Sequence, residues 1–491
     1  MQYNKTMKNT IASNATKLTL IKTLAMAITM VIAMLLSRFR SLEEYGTYSQ
    51  MQLIGNLVTS IFMVGLPNSI SYFISKNDKI KRQEFLNTFF SLCSLLGTMG
   101  GILLILAIPI ASQYFNNRDI MIYWFFLLSY PWTKITLASI ENLLVSYNKI
   151  EKLMVFKGAY CCITLLTLIV CCIIKTSFYM YMIAFTCSEV VFSIWVYSIA
   201  SKVEGRLKFQ LRKHTITSIL RYSLPIGLSS IVSTISIELD KLLIGWFYNT
   251  NEMAIYVNAS RELPITVIST AISAVLMPPM VKFLAKGKNK EAVELWKKSV
   301  ILSYIFISFI VMILFVYAKE VIAILYSSKY IPGIGVFRVY TLVLLLRVTY
   351  FGIILNSIGK TRFILYSSLI SLGLNVILNI VCYYVFGFIG PAIATFLSIG
   401  IIATIQLWYS ANVINMHLKD IFPWGSMIKI FGINTMFGIV LYYISNFILL
   451  KFLNAYIIAI GAGIIAGGVY LFVYRKRIFA LWNYLNNIEV D

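Results

Sequence analysis

The sequence predicts an all-α integral membrane protein of about fourteen transmembrane helices, in two six-helix bundles around a central cavity with two further helices at the C-terminus. Three observations predict this. Of 491 residues 59% are apolar and 12% charged, with a mean hydropathy of +0.81, more apolar surface than a water-soluble core can use. The apolar residues fall in long runs separated by short charged stretches. The basic residues then alternate in abundance from one connecting stretch to the next.

Each crossing of a hydrocarbon core roughly 30 Å thick takes about 20 apolar residues, and a helix satisfies its own backbone hydrogen bonds there. The apolar runs place helices at 15–37, 47–74, 85–112, 119–146, 153–174 and 178–201. After the charged stretch from Lys202 to His214, a second set follows at 216–247, 251–281, 293–317, 333–357, 362–386 and 389–415. Two more runs, 427–449 and 452–474, precede a polar tail opening with Arg475, Lys476 and Arg477. The first run has no small-residue cleavage site after it, so it reads as a retained helix.

Charge placement tests this series independently, because Lys and Arg concentrate in short cytoplasmic loops. Connections after even-numbered helices carry Lys76, Lys79, Lys81 and Arg82, then Lys149, Lys152 and Lys157, then Lys202, Arg206, Lys208, Arg212 and Lys213, then Lys282, Lys286, Lys288, Lys290, Lys297 and Lys298. Connections after odd-numbered helices carry Arg38 and Arg40 offset by Glu43 and Glu44, Arg118 beside Asp119, and a lone Lys175. Both termini are therefore expected in the cytoplasm. The net charge of +23 is accordingly a topology signal, and no separate basic domain exists to bind nucleic acid. The seven cysteines lie mostly within the runs, as in the pairs Cys161, Cys162 and Cys171, Cys172; they read as small packing residues, with neither a disulfide framework nor a metal site expected.

The segment RFRSLEEYGTY (Arg38 to Tyr48) resembles WFYNTNEMAIY (Trp246 to Tyr256), with Glu44 and Tyr48 falling on Glu252 and Tyr256. Six helices per repeat give both halves one orientation, which implies a pseudo-twofold axis along the membrane normal. The expected organisation is a bundle at 1–201, a cytoplasmic linker at 202–215, a bundle at 216–416, and the extra pair with its tail at 417–491.

Five segments carry a family resemblance: LSRFRSLEEYGTYS (Leu36 to Ser49), GLPNSISYFIS (Gly65 to Ser75), RYSLPIGLSS (Arg221 to Ser230), ELDKLLIGWF (Glu238 to Phe247) and LGLNVILNIVCYYVFGFIGPAIAT (Leu372 to Thr395). In order and spacing they resemble the polysaccharide flippase branch of the multidrug/oligosaccharidyl-lipid/polysaccharide exporter superfamily. The resemblance implies a V-shaped cavity between two bundles, as in the multidrug exporters, and an undecaprenyl pyrophosphate-linked repeat unit as substrate. It also implies a bacterial inner membrane location, work within a polysaccharide biosynthesis assembly, and translocation toward the outer leaflet for O-antigen or capsule.

An ionisable side chain at mid-helix costs roughly 2.5–3.5 kcal/mol or more, so it should face a cavity or a partner. The basic candidates are Lys22, Lys134, Arg261 and Arg347. Pyrophosphate crossing a region of low dielectric needs such groups, and Arg can hold phosphate oxygens bidentately, which favours Arg261 and Arg347. Snorkelling to the interface or structural pairing is the plainer role, above all for Lys22. The acidic candidates are Glu141, Glu189, Glu238, Asp240 and Glu262. Desolvated carboxylates can exchange H+ or Na+, a coupling left open here, with Asp240 the first choice. Equally, Lys134 with Glu141 and Glu238 with Lys241 share helix faces and can pair structurally. Asn375 and Asn379 suit helix–helix bridging. Pro67, Pro131, Pro225, Pro264 and Pro278 are assigned bending, and Trp124, Trp246 and Trp424 interface anchoring.

Rival functions are a multidrug antiporter of the same superfamily, whose cavity would be acidic and aromatic, and a peptidoglycan-precursor flippase. A membrane polymerase or ligase would need a large extracytoplasmic loop, which the short odd-numbered connections do not offer; no enzyme activity and no cofactor are expected. The chain has no complete G-x-x-x-x-G-K-[ST] phosphate loop, since Ile354 stands where the first glycine before Gly359, Lys360 and Thr361 would fall, which argues against an ATP-driven transporter. A pathway enclosed in one chain suits a monomer among membrane lipids.

Overall fold

The computed structural model describes residues 2–76, 79–448 and 454–486. Every regular element among them is helical, and the chain divides into two compact units, Met1–Ala254 and Ile255–Asp491. Eleven stretches of the described residues are long and apolar enough to cross a membrane; the protein is a multi-pass membrane protein.

The first unit contains α1 (Gln2–Phe39), α2 (Leu42–Met63), α3 (Leu66–Lys76), α4 (Lys79–Tyr114), α5 (Trp124–Ser146), α6 (Ile150–Ile173), α7 (Phe178–Glu204) and α8 (Lys213–Phe247). Helix α5 is its centre, packed by α2, α3, α4, α6 and α7. Small residues permit this: a Cβ on Gly101 of α4 would lie 2.0 Å from the Leu128 carbonyl oxygen of α5, an approach only glycine allows. Helix α8 packs on α2, α3 and α4.

The run expected as one helix at 47–74 is broken. Val64 and Gly65 are left-handed, with φ of 46° and 67°, and Pro67 two residues later has no N–H to continue the ladder. A Cβ on Gly65 would lie 2.7 Å from the Ser223 carbonyl oxygen of α8, so the break is also where two backbones touch.

The boundary between the units falls within α9 (Thr250–Ala259). The second unit continues with α10 (Val267–Ala285), α11 (Asn289–Val316), α12 (Ala318–Leu325), α13 (Ile334–Leu346), α14 (Ile353–Ser357), α15 (Thr361–Phe386), α16 (Gly390–Val413), α17 (Leu418–Ile421), α18 (Trp424–Tyr443) and α19 (Ala455–Asn486). Two further expected helices are broken here: 251–281 opens between α9 and α10, and 333–357 opens between α13 and α14. Pro264 starts a short 3-10 turn in the first break. Helix α11 runs through the core, with Trp296 fully buried and its indole N–H donating to Thr349 Oγ1 at 2.9 Å.

Helices α18 and α19 pack on α11. Asn434 donates to Ser308 Oγ at 2.8 Å, and the Tyr470 hydroxyl to the Ile305 carbonyl at 2.9 Å. The turn expected at 449–452 lies outside the described residues. The expected polar tail is instead helical past Arg475, Lys476 and Arg477, because Arg477 donates to Ser426 Oγ at 3.2 Å and Leu481 is buried.

The expected fourteen crossings depend on α5 and α8, which fall outside the eleven apolar stretches, and on separating α15 from α16, which share one stretch from Arg362 to Val413. Helices α5 and α8 carry Lys134, Glu141, Glu238, Asp240 and Lys241. Both helices that fall outside the apolar stretches therefore carry several ionisable groups.

The two segments that resemble one another begin their helices with the same chemistry. Ser41 Oγ accepts from the Glu44 N–H at 3.0 Å while Glu44 accepts from the Ser41 N–H at 3.0 Å. Asn249 and Glu252 make the reciprocal pair at 2.9 and 3.1 Å, a capping box in both places. Beyond the caps the segments meet: a Cβ on Gly46 would lie 2.2 Å from the Thr250 carbonyl oxygen. Gln50 reaches Thr250 Oγ1 at 3.4 Å, and Asn117 donates to Thr47 Oγ1 at 2.8 Å and Gln50 Oε1 at 2.7 Å.

Candidate transport site

A charge inside a membrane bundle is tolerated only against a partner or a wet cavity. Among the sequence candidates of the first unit, three acids meet lysines. Lys134 Nζ on α5 lies 3.0 Å from Glu189 Oε2 on α7, with side-chain exposures of 30% and 4%. The second Glu189 oxygen accepts from the Tyr160 hydroxyl of α6. Lys22 on α1 meets Glu141 on α5 at 2.7 Å. Glu238 and Lys241, one turn apart on α8, pair at 2.8 Å.

The expected face-sharing of Lys134 and Glu141 produces no bond between them. Seven residues along a helix is about 10 Å, beyond the reach of a direct contact, and each takes its partner from another helix. Asp240 is buried at 2% exposure, and one of its oxygens accepts the Lys241 N–H at 2.8 Å.

The two internal ion pairs are joined. Asn56 on α2 donates to Glu238 Oε1 at 3.2 Å and accepts from the Tyr130 hydroxyl at 2.7 Å, while Lys134 Nζ lies 5.1 Å from the Tyr130 ring centroid. One polar chain thus runs from Lys241 through Glu238, Asn56, Tyr130 and Lys134 to Glu189 and Tyr160, touching α8, α2, α5, α7 and α6. Asn56, Tyr130 and Tyr160 escaped a search of the sequence for charged residues.

In the second unit the two broken helices face one cavity of about 780 Å³. Arg347, the C-cap of α13, and Glu262, in the break before α10, form an ion pair at its wall. Arg347 was expected at mid-helix and facing a cavity; it caps the end of α13 at the break, with its side chain on the cavity wall. The remaining lining is uncharged: Thr266, Ser269, Thr270 and Ser273 from the α10 side, Asn356 of α14 and Gln406 of α16, with Tyr350 and Phe351 supplying aromatic surface. Positions 266, 269, 270, 273 and 277 follow helical spacing, a signal legible in the sequence that the search for charged residues passed over. Arg261 lines a small recess beside the cavity with Glu262, Arg347 and Tyr340.

Asn375 bridges α15 to α16 through Ser398 Oγ at 2.9 Å, whereas Asn379 donates to Asn375 within its own helix. All seven cysteines are free thiols. Outside the spans, Arg40 anchors the first connection, donating to the Thr176 carbonyl at 2.7 Å between the Phe178 and Tyr181 rings. On the loop after α5, burial and a 2.6 Å bond to Glu204 hold the Tyr147 hydroxyl well above the ordinary phenol range.

The chain is thus an all-helical multi-pass membrane protein with interrupted helices and internally paired charges. The fold matches a lipid II flippase MurJ in an inward closed conformation with a TM-score of 0.71, covering 94% of this chain and 99% of that one at 17% identity. An inward-facing multidrug resistance MATE family transporter of the MOP superfamily matches with a TM-score of 0.62, over 80% and 94% of the two chains at 16% identity. At such identities the likeness establishes the fold alone. Residues 35–334 match the family described as polysaccharide biosynthesis protein, and the chain belongs to that family. A curated relative, the probable low-salt glycan biosynthesis flippase Agl15 of Haloferax volcanii, is 22% identical over 242 residues, 48% of this chain. The match spans 51% of that relative, about half its length.

Proposed function

We propose that the protein is a flippase that carries undecaprenyl pyrophosphate-linked oligosaccharide repeat units from the cytoplasmic to the outer leaflet of a bacterial inner membrane, by alternating access. The single observation that carries this reading is the cavity of about 780 Å³ with Arg347 on its wall and hydroxyls, amides and two aromatic rings around it. A guanidinium suits a phosphate fork, and hydroxyls and amides with aromatic faces suit sugars. Family membership and the glycan flippase relative point the same way.

The moving bodies in this reading are 1–201 and 216–416, joined by 202–215, with 417–491 attached to the second and both termini cytoplasmic. Arg347 and Arg261 would receive the pyrophosphate; Lys134 and Lys22 would serve it only after leaving Glu189 and Glu141. Asp240, Glu238, Glu189, Glu141 and Glu262 are the groups at which H+ or Na+ exchange would occur. The protein acts as a monomer beside the enzymes of the assembly, catalysing no covalent step.

The test is deletion of the gene in its host, with lipid-linked sugars quantified in each leaflet and complementation by wild type and by Arg347→Ala. Cytoplasmic-leaflet accumulation relieved by wild type and not by the variant is the expected result. Unchanged lipid-linked sugars with altered sensitivity to cationic drugs would move the protein to multidrug antiport.

A further inference from the structure

Arg347 is not an open anion site. Its guanidinium is engaged by the Glu262 carboxylate, and both side chains line the cavity, with side-chain exposures of 33% and 42%. Any anion that binds Arg347 therefore meets a carboxylate already there. The guanidinium and carboxylate together carry no net charge, so the cavity as it stands offers an incoming pyrophosphate little attraction.

The surroundings of Glu262 sharpen the conflict. The charged groups facing it are Arg347, at the end of α13, and Arg261, beside it in the break and on the adjoining recess. The other titratable groups are Tyr340 of α13 and Tyr350 of the break after α13. Helices α10, α14, α15 and α16 contribute hydroxyls, amides and apolar groups to the lining, such as Ser273, Asn356, Ser371 and Gln406. Once a pyrophosphate occupies Arg347, Glu262 would stand beside further negative charge, with Arg261 on the adjoining recess as the cation that remains to it.

We propose that Glu262 is a built-in competitor for Arg347, and that a pyrophosphate anion entering the second-unit cavity displaces it from the guanidinium. No covalent bond is made or broken, and the ion pair re-forms when the anion departs. The inference rests on the flippase reading for the identity of the ligand. It supplies what that reading lacks, a device that releases the anion again. Ordinary ion-pair chemistry permits the exchange, because an exposed or half-exposed pair is held by only a modest free energy.

The test uses the full-length protein in lipid nanodiscs, with calorimetric binding of farnesyl pyrophosphate, and of inorganic pyrophosphate as the soluble arm. Glu262→Gln should bind about fivefold more tightly than wild type. Together with that gain, binding of farnesyl pyrophosphate alone assigns the site to a lipid headgroup, and equal binding of both probes assigns it to the anion itself; either supports the competition. If binding requires Arg347, as shown by its loss in Arg347→Ala, yet Glu262→Gln binds no tighter than wild type, the competitor role is overturned while the flippase reading stands. If neither probe binds wild type, or Arg347→Ala binds both as well, the pyrophosphate site itself is refuted and the competition with it. Should Glu262→Gln fail to fold, Glu262→Asp, whose shorter arm loosens the pair, takes its place, and an affinity equal to that of wild type overturns the proposal.

Discussion

Breaking the Lys134–Glu189 pair from each side in turn should give unequal losses, and the inequality follows from the burial of the two partners. Glu189 is exposed at 4% of its side chain and Lys134 at 30%. Lys134→Met leaves an ionised carboxylate in the bundle with only the Tyr160 hydroxyl to satisfy it, at a cost of about 3–5 kcal/mol for an orphaned buried charge. Glu189→Gln leaves an ammonium that keeps the Tyr130 ring, 5.1 Å away, and can extend toward water, at a cost of about 1–2 kcal/mol. The double variant removes both charges and should cost about 1 kcal/mol or less, so the cycle closes with a coupling of about 3 kcal/mol or more. Equilibrium unfolding in mixed detergent–SDS micelles measures all four proteins. Single losses that add to within about 0.5 kcal/mol would refute the reasoning, since the pair would then be worth nothing as a pair.

Gly46→Val should reduce transport by about tenfold or more, because its Cβ would fall 2.2 Å from the Thr250 carbonyl oxygen, whereas Gly158→Val, with nothing within 4 Å, should leave it unchanged. Leaflet-resolved assay of lipid-linked sugars in complemented cells separates the two. Arg347→Lys keeps the charge and loses the fork, so it should restore only part of the transport lost in Arg347→Ala. Tyr147→Phe should cost about 1–2 kcal/mol at neutral pH through its bond to Glu204. The raised Tyr147 hydroxyl stabilises the fold while protonated; that contribution is complete below the unfolded pKa of about 10 and is lost as pH rises above it. The gap between wild type and Tyr147→Phe should therefore close in alkaline unfolding titrations.

Sequence alone determined the helical membrane class and the pool of charged side chains from which a site could be drawn. It could do so because apolar length is a local property, fixed by what a bilayer accepts. The repeat alignment of Glu44 on Glu252 was legible for the same reason, and in the structure each closes a local capping box, with Ser41 and with Asn249. Tertiary structure decided the partners. Lys134 and Glu141 lie on one helix and look like a pair, yet Glu189 and Lys22 arrive from other helices and take them apart. It also decided where helices stop: α2, α9 and α13 end within runs that hydropathy reads as continuous. Apolarity measures whether lipid tolerates a segment. A break depends on whether neighbours re-satisfy the freed backbone groups, which only packing can supply. For that reason Arg347 and Glu262, singled out in the sequence only separately and on two different helices, meet at the wall of one cavity.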